Sequence, residues 1–174
     1  MNSIEKLLMI GDMRTTGKSE EVVELVLSNP QLFKGVINAI LVDDPGIRMR
    51  ASDVAEKITR THPEWLQPYK KLFLEVISTI DQKEVRWHTA QMLNRMQYTK
   101  IERQKVFDLL ITFLKDKSSI VKTFTMQALA DMAIQNRNYL NQVQRLLYKL
   151  TQEGSPAMKT RGKKLLLALK KVAT

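Results

Sequence analysis

Ile47-Arg48-Met49-Arg50-Ala51, Val85-Arg86-Trp87-His88-Thr89, Val121-Lys122-Thr123-Phe124-Thr125 and Met158-Lys159-Thr160-Arg161-Gly162 share one pattern: an apolar residue, a cation, then a small residue three positions after the cation. The four segments follow one another at steps of 38, 36 and 37 residues. A fixed step of that size marks a helical solenoid, because so small a unit cannot bury its own apolar face and must stack on the next. Between the segments lie other stretches with apolar residues at helical spacing, such as Trp65, Tyr69, Leu72, Phe73, Val76 and Ile80. None alternates as a half-buried strand would, so the chain is read as all-α.

The spacing predicts helices over 31–42, 46–60, 64–80, 83–97, 100–115, 119–135, 138–152 and 156–172, after two weaker ones near 2–9 and 18–28. Their short connections imply antiparallel neighbours. Asn29-Pro30, Asp44-Pro45 and Ser155-Pro156 each join a capping side chain to a proline whose missing N–H costs nothing in a first turn. Ser118 or Ser119, and Asp81 or Gln82, are expected to cap two further helices. Pro68 falls inside the pattern at 64–80 and predicts a kink or a delayed start there. Trp65 and Tyr69 lie on the apolar stripe of that helix and are assigned to the core.

With 174 residues the chain is long enough for one domain that buries on the order of 70% of its unfolded surface. Hydrophobic residues at 44% and charged residues at 26% place it among globular chains rather than disordered ones. The absence of cysteine excludes disulfides and a thiol nucleophile, and points to a reducing compartment. Met1 to Gly17 carries Glu5 within its apolar stretch and lacks the cationic start and cleavage site of a signal peptide. No run approaches the roughly 20 apolar residues that span a bilayer. A cytoplasmic, monomeric protein without membrane insertion is expected. Its formal charge of +10 is a gradient: −2 over residues 1–30, +2 over 31–97, +4 over 98–154 and +6 over 155–174.

These units resemble HEAT repeats, members of the armadillo-like helical solenoids. In that family an outer helix ends in a turn with an acidic residue, and an inner helix opens with a valine-arginine pair followed by a small residue. The matching residues here are Asp43, Asp44 and Ile47-Arg48 with Ala51, Asp81 and Val85-Arg86 with Thr89, Asp116 and Val121-Lys122 with Thr125, and Glu153 and Met158-Lys159 with Gly162. Lysine replaces arginine in the last two, which weakens any bidentate ladder to carboxylates. The resemblance implies a right-handed α-α superhelix of about four to five hairpins. Its repeats would lie near 30–60, 63–97, 99–135 and 137–172, after a degenerate hairpin at 1–28, all within a single domain 1–174. It also implies a concave face lined by the cation-bearing helices, on which family members bind proteins, peptides or, in some cases, nucleic acid.

The recurring cations Arg48, Arg86, Lys122 and Lys159 admit two readings: a structural ladder to turn carboxylates, or a stripe that binds anions. Two positions on sit Arg50, His88, Phe124 and Arg161, away from the column Ile47, Ala51, Val54 and Ile58, and a helical wheel leaves them exposed. Trp87 is either an anchor for a partner or packing against the adjacent repeat. The concave-face candidates are therefore Arg50, Arg86, Trp87, His88, Lys122, Phe124, Lys159 and Arg161. Lys159, Arg161, Lys163, Lys164, Lys170 and Lys171, with no acid among them, form either a solubilising end face or a surface for phosphate.

Enzyme classes find little support. The two histidines, His62 and His88, lack ligand partners at helical spacing, so no metal is expected. Gly17-Lys18-Ser19 lacks the upstream glycine and the strand that a P-loop needs. Trp87 with Asp53 or Asp131 could imitate the aromatic and carboxylate set of HEAT-like alkylpurine DNA glycosylases, a remote alternative resting on composition alone. The expected function is a non-catalytic module for a protein or acidic peptide, with no cofactor. Nucleic acid held by the basic C-terminal half is the alternative.

Overall fold

A computed structural model describes residues 3–11 and 15–173. Among these residues there are ten α-helices and no strand: α1 Ser3–Leu8, α2 Ser19–Ser28, α3 Phe33–Ala39, α4 Pro45–Ile58, α5 Lys70–Glu75, α6 Lys83–Leu93, α7 Lys100–Phe113, α8 Ser119–Gln135, α9 Leu140–Glu153 and α10 Pro156–Ala173. Each expected helix has a counterpart, most with ends within a few residues of expectation, but the one expected over 64–80 is α-helical only at Lys70–Glu75. Asn2, the first residue of the helix near 2–9, lies outside the described residues, as do the extreme ends of the expected domain 1–174. The chain divides into two compact units, Met1–Met96 and Gln97–Thr174, here units 1 and 2.

Unit 1 is organised by α4, which packs against α1, α2, α3 and α6. Its start is fixed as the sequence suggests: the Ile47 amide donates to Asp44 Oδ1 at 2.8 Å, and Pro45 takes the first helical position. Ile47, Ala51, Val54 and Ile58 are buried, as are Val85, Met92 and Leu93 of the neighbouring α6. Neither Asp81 nor Gln82 caps α6; the Gln82 amide instead donates to the Pro45 carbonyl at 2.8 Å, tying the start of α6 to that of α4.

Pro68 delays the helix expected at 64–80. A tight 3₁₀ segment occupies Pro63–Tyr69, α-helix begins only at Lys70, and a second 3₁₀ turn covers Ile77–Thr79. The cause is local: proline offers no N–H to the ladder and its ring clashes with the preceding turn. Trp65 and Tyr69 are not core, as their place on the stripe had suggested. They stand half-buried with their rings edge-on to buried Phe33, at 5.5 and 5.9 Å.

In unit 2, α8 packs on α7, α9 and α10, and α10 also packs on α9. A capping box opens α7, with Thr99 Oγ1 accepting from the Glu102 amide and Glu102 accepting from the Thr99 amide at 2.8 Å. The small residue of each repeated segment has a packing reason. Ala51, Thr89 and Thr125 are at most 1% exposed, and a Cβ on Gly162 would stand 1.9 Å from Thr151 Oγ1 of α9 and 3.1 Å from Met126 of α8. Gly162→Val should therefore destabilise unit 2 by about 1–3 kcal/mol through overpacking. Urea unfolding followed by circular dichroism measures this, and an unchanged midpoint would show that α9 and α10 yield freely.

Candidate binding surface

The repeated cations separate into two kinds. Arg48 Nη2 lies 2.7 Å from Asp43 Oδ1, and Arg86 Nη1 lies 2.9 Å from Asp81 Oδ1. In both cases the aspartate precedes the arginine by five residues, so a turn carboxylate is held by the first turn of the following helix. At the same offset Lys122 and Lys159 meet Lys117 and Gly154. The turn acids Asp116 and Glu153 sit one residue further back, and Asp116 Oδ1 accepts from the Ser118 amide at 2.7 Å. Lys122 and Lys159 make no ion pair among the described residues. The ladder is thus built in unit 1 and has no counterpart at Lys122 and Lys159 among the described residues.

Two candidates expected on the surface are buried. Arg50 is 3% exposed, and its Nε donates to the carbonyl of Leu8, the last residue of α1. A cation at the carbonyl end of a helix is favourably placed, so Arg50 fastens α1 to α4. His88 is 8% exposed, and burial pushes its imidazole down to about 4 against the pull of Asp53 and Glu56. The wheel failed at Arg50 because α4 packs against α1, α2, α3 and α6, which makes its buried arc wider than its apolar stripe, and at His88 because α6 packs on α4. Trp87 is half-buried, its ring edge-on to His88 at 5.1 Å.

Sequence reasoning missed the polar network beneath this face. Glu56, 1% exposed, accepts from Arg60 Nε at 3.0 Å and from Arg95 Nη2. Arg95 Nη1 also donates to the Glu56 carbonyl at 2.7 Å and to Thr59 Oγ1 at 2.8 Å, joining the end of α6 to that of α4. Burial alone would raise the Glu56 carboxyl, but the hydrogen bonds and charges of Arg60 and Arg95 outweigh it and hold it below the usual value. Beside it, Lys57 contacts Asp53 at 2.8 Å and also Glu20 of α2. No motif announces Arg95. Its signal is a cation just past a helix end, 39 residues after a glutamate on a buried face.

In unit 2 the expected neighbours meet. The Arg161 guanidinium lies 5.9 Å from the centre of the Phe124 ring and donates to Gln127 Oε1 at 2.7 Å. Gln127 in turn donates to Asp131 Oδ1 at 2.8 Å. Burial raises the Asp131 carboxyl above its ordinary value, despite that hydrogen bond and the Arg161 charge. The first turns of α8 and α10 border a cleft of about 300 Å³ whose lining includes Lys117, Lys122, Ser119, Ser155 and Glu153.

Charge is divided as sharply as structure. Unit 1 holds thirteen cations and thirteen acids, whereas unit 2 holds fifteen cations and five acids, so the whole formal +10 belongs to unit 2. Among the described residues no three His, Asp or Glu side chains gather as a metal site, and no helix is long and apolar enough to cross a membrane. Among the described residues the protein is all-helical, with one charge-balanced unit and one strongly cationic unit. No family model matches the chain, and neither a curated protein nor a solved structure does.

Proposed function

We propose that this protein is a non-catalytic, HEAT-like helical-repeat module that holds an extended macromolecular partner presenting a row of anions, with unit 2 supplying the grip. The carrying observation is the charge partition: unit 1 is neutral, whereas unit 2 has three times as many cations as acids. A field of one sign concentrates anionic partners and speeds their encounter. The pairing of cation-bearing helices, α4 with α6 and α8 with α10, and the buried small residues on them favour a repeat architecture. A non-catalytic role fits the engagement of the groups chemistry would use. His88 is buried and Asp53 is paired with Lys57, while Asp131 is bonded to Gln127.

The test is fluorescence anisotropy of the full chain with labelled polyglutamate and duplex DNA at low salt. Lys122→Glu with Lys159→Glu should weaken capture of the bound polyanion by at least about tenfold, or roughly 1.4 kcal/mol. Arg86→Gln in unit 1 should leave it unchanged. Binding of neither polymer, or an equal loss from the unit 1 variant, would overturn the proposal.

A further inference from the structure

The outward face of α10 carries a cation array that is regular in two directions. At about 100° and 1.5 Å per residue, Lys159, Lys163 and Lys170 fall within about 40° of one another, and Lys164 and Lys171 form a second row about 100° away. All five are exposed. Between the rows stands Leu167, 64% exposed. The opposite side is buried: Met158 at 4%, Leu165 at 5% and Leu169 at 0%. Residues 155–174 contain six cations and no Asp or Glu. From Lys159 to Lys171 the array is about 18 Å long.

We infer that α10 is a docking face for double-stranded nucleic acid, its two lysine rows contacting phosphates on both sides of one groove. This rests on the proposed function and names the partner. The argument is charge complementarity. Two parallel rows of point cations on a rigid rod match two parallel rows of phosphates, and a groove of B-form DNA about 12 Å wide admits an α-helix. Lysine, a compact point charge without a planar fork, suits sequence-independent contact with backbone phosphate. An anionic membrane surface fits less well, since a helix lying in it needs an apolar face and this arc offers Leu167 alone. An acidic protein segment places its carboxylates on flexible side chains, with no second row at fixed spacing.

Anisotropy titrations of the full chain with a random-sequence duplex of about 20 base pairs, from about 50 to 200 mM salt, test this through the counterion slope. Three to five phosphate contacts give a log–log slope of roughly −3 to −4.5. Lys163→Glu with Lys170→Glu should weaken binding at least tenfold and flatten the slope by about 2, and Lys164→Glu with Lys171→Glu should do the same. Circular dichroism verifies that these surface variants keep their helix content. Leu167→Ala should leave duplex affinity within about twofold. If either double reversal leaves affinity and slope unchanged, the two-row contact is wrong. Polyglutamate bound without duplex would overturn the nucleic-acid assignment and leave the proposed function standing; failure to bind either polymer would overturn both. Binding to phosphatidylserine vesicles that Leu167→Ala abolishes, without duplex binding, would assign the face to a membrane surface instead.

Discussion

Replacing Arg95 with alanine is expected to destabilise unit 1 by about 3–5 kcal/mol, because it leaves the Glu56 carboxylate buried with a single, largely exposed partner in Arg60. The loss goes beyond one ion pair, since Arg95 also satisfies the Glu56 carbonyl and the Thr59 hydroxyl. Glu56→Gln added to Arg95→Ala should recover part of the stability, as the uncompensated charge is gone. Both tryptophans, Trp65 and Trp87, lie in unit 1, so urea unfolding followed by tryptophan fluorescence reports that unit alone. A cost below about 1 kcal/mol would place the network in the class of solvent-screened surface pairs. Because the Glu56 carboxyl is held below its ordinary 4.5, this support is complete above that pH and is lost as the pH falls further.

Acidification above that range should weaken unit 1 through His88. Its imidazole titrates near 4 in the folded protein against an ordinary 6.5, so between these values the unfolded chain binds a proton that the folded chain refuses. Stability then falls as the pH drops from 6.5 towards 4, by about 2 kcal/mol at pH 5 and about 3 kcal/mol in all. The groups facing the ring act in opposite senses: Asp53 and Glu56 favour its proton, Lys57 and Arg60 oppose it, and burial outweighs them. His88→Gln removes the titration and should flatten the stability profile between pH 7 and 5. A wild-type profile already flat over that interval would mean that the ring protonates without cost.

The all-helical class and most helix positions were legible because their determinants are local. The four repeated segments locate α4, α6, α8 and α10, Asp44 caps where expected, and Pro68 delays α5 through its own ring. The ladder of Arg48 and Arg86 was one of two open readings and follows from an acid five residues upstream. What stayed hidden depends on which neighbour covers which flank. Arg50 and His88 look solvent-facing on a wheel, yet the first is anchored to the end of α1 and the second is buried on α6, which packs on α4. Arg95 was invisible because its partner lies 39 residues away and belongs to no repeated motif. Trp65 and Tyr69 show the converse, for an apolar stripe calibrated on continuous helix overstates burial where the backbone tightens into 3₁₀ turns. The charge gradient was plain in the sequence, but the place where it breaks, between a neutral and a cationic unit, required the fold.

Fifteen cations held with five acids in 78 residues push against one another in the folded state. Self-repulsion of this kind works against the compact form and is relieved by screening ions. A bound polyanion would relieve it more fully than dissolved salt, and anything that binds only the folded unit also stabilises it by mass action. Occupancy and folding of unit 2 are therefore linked: its resistance to unfolding should rise when its surface is filled, while the charge-balanced unit 1 remains indifferent.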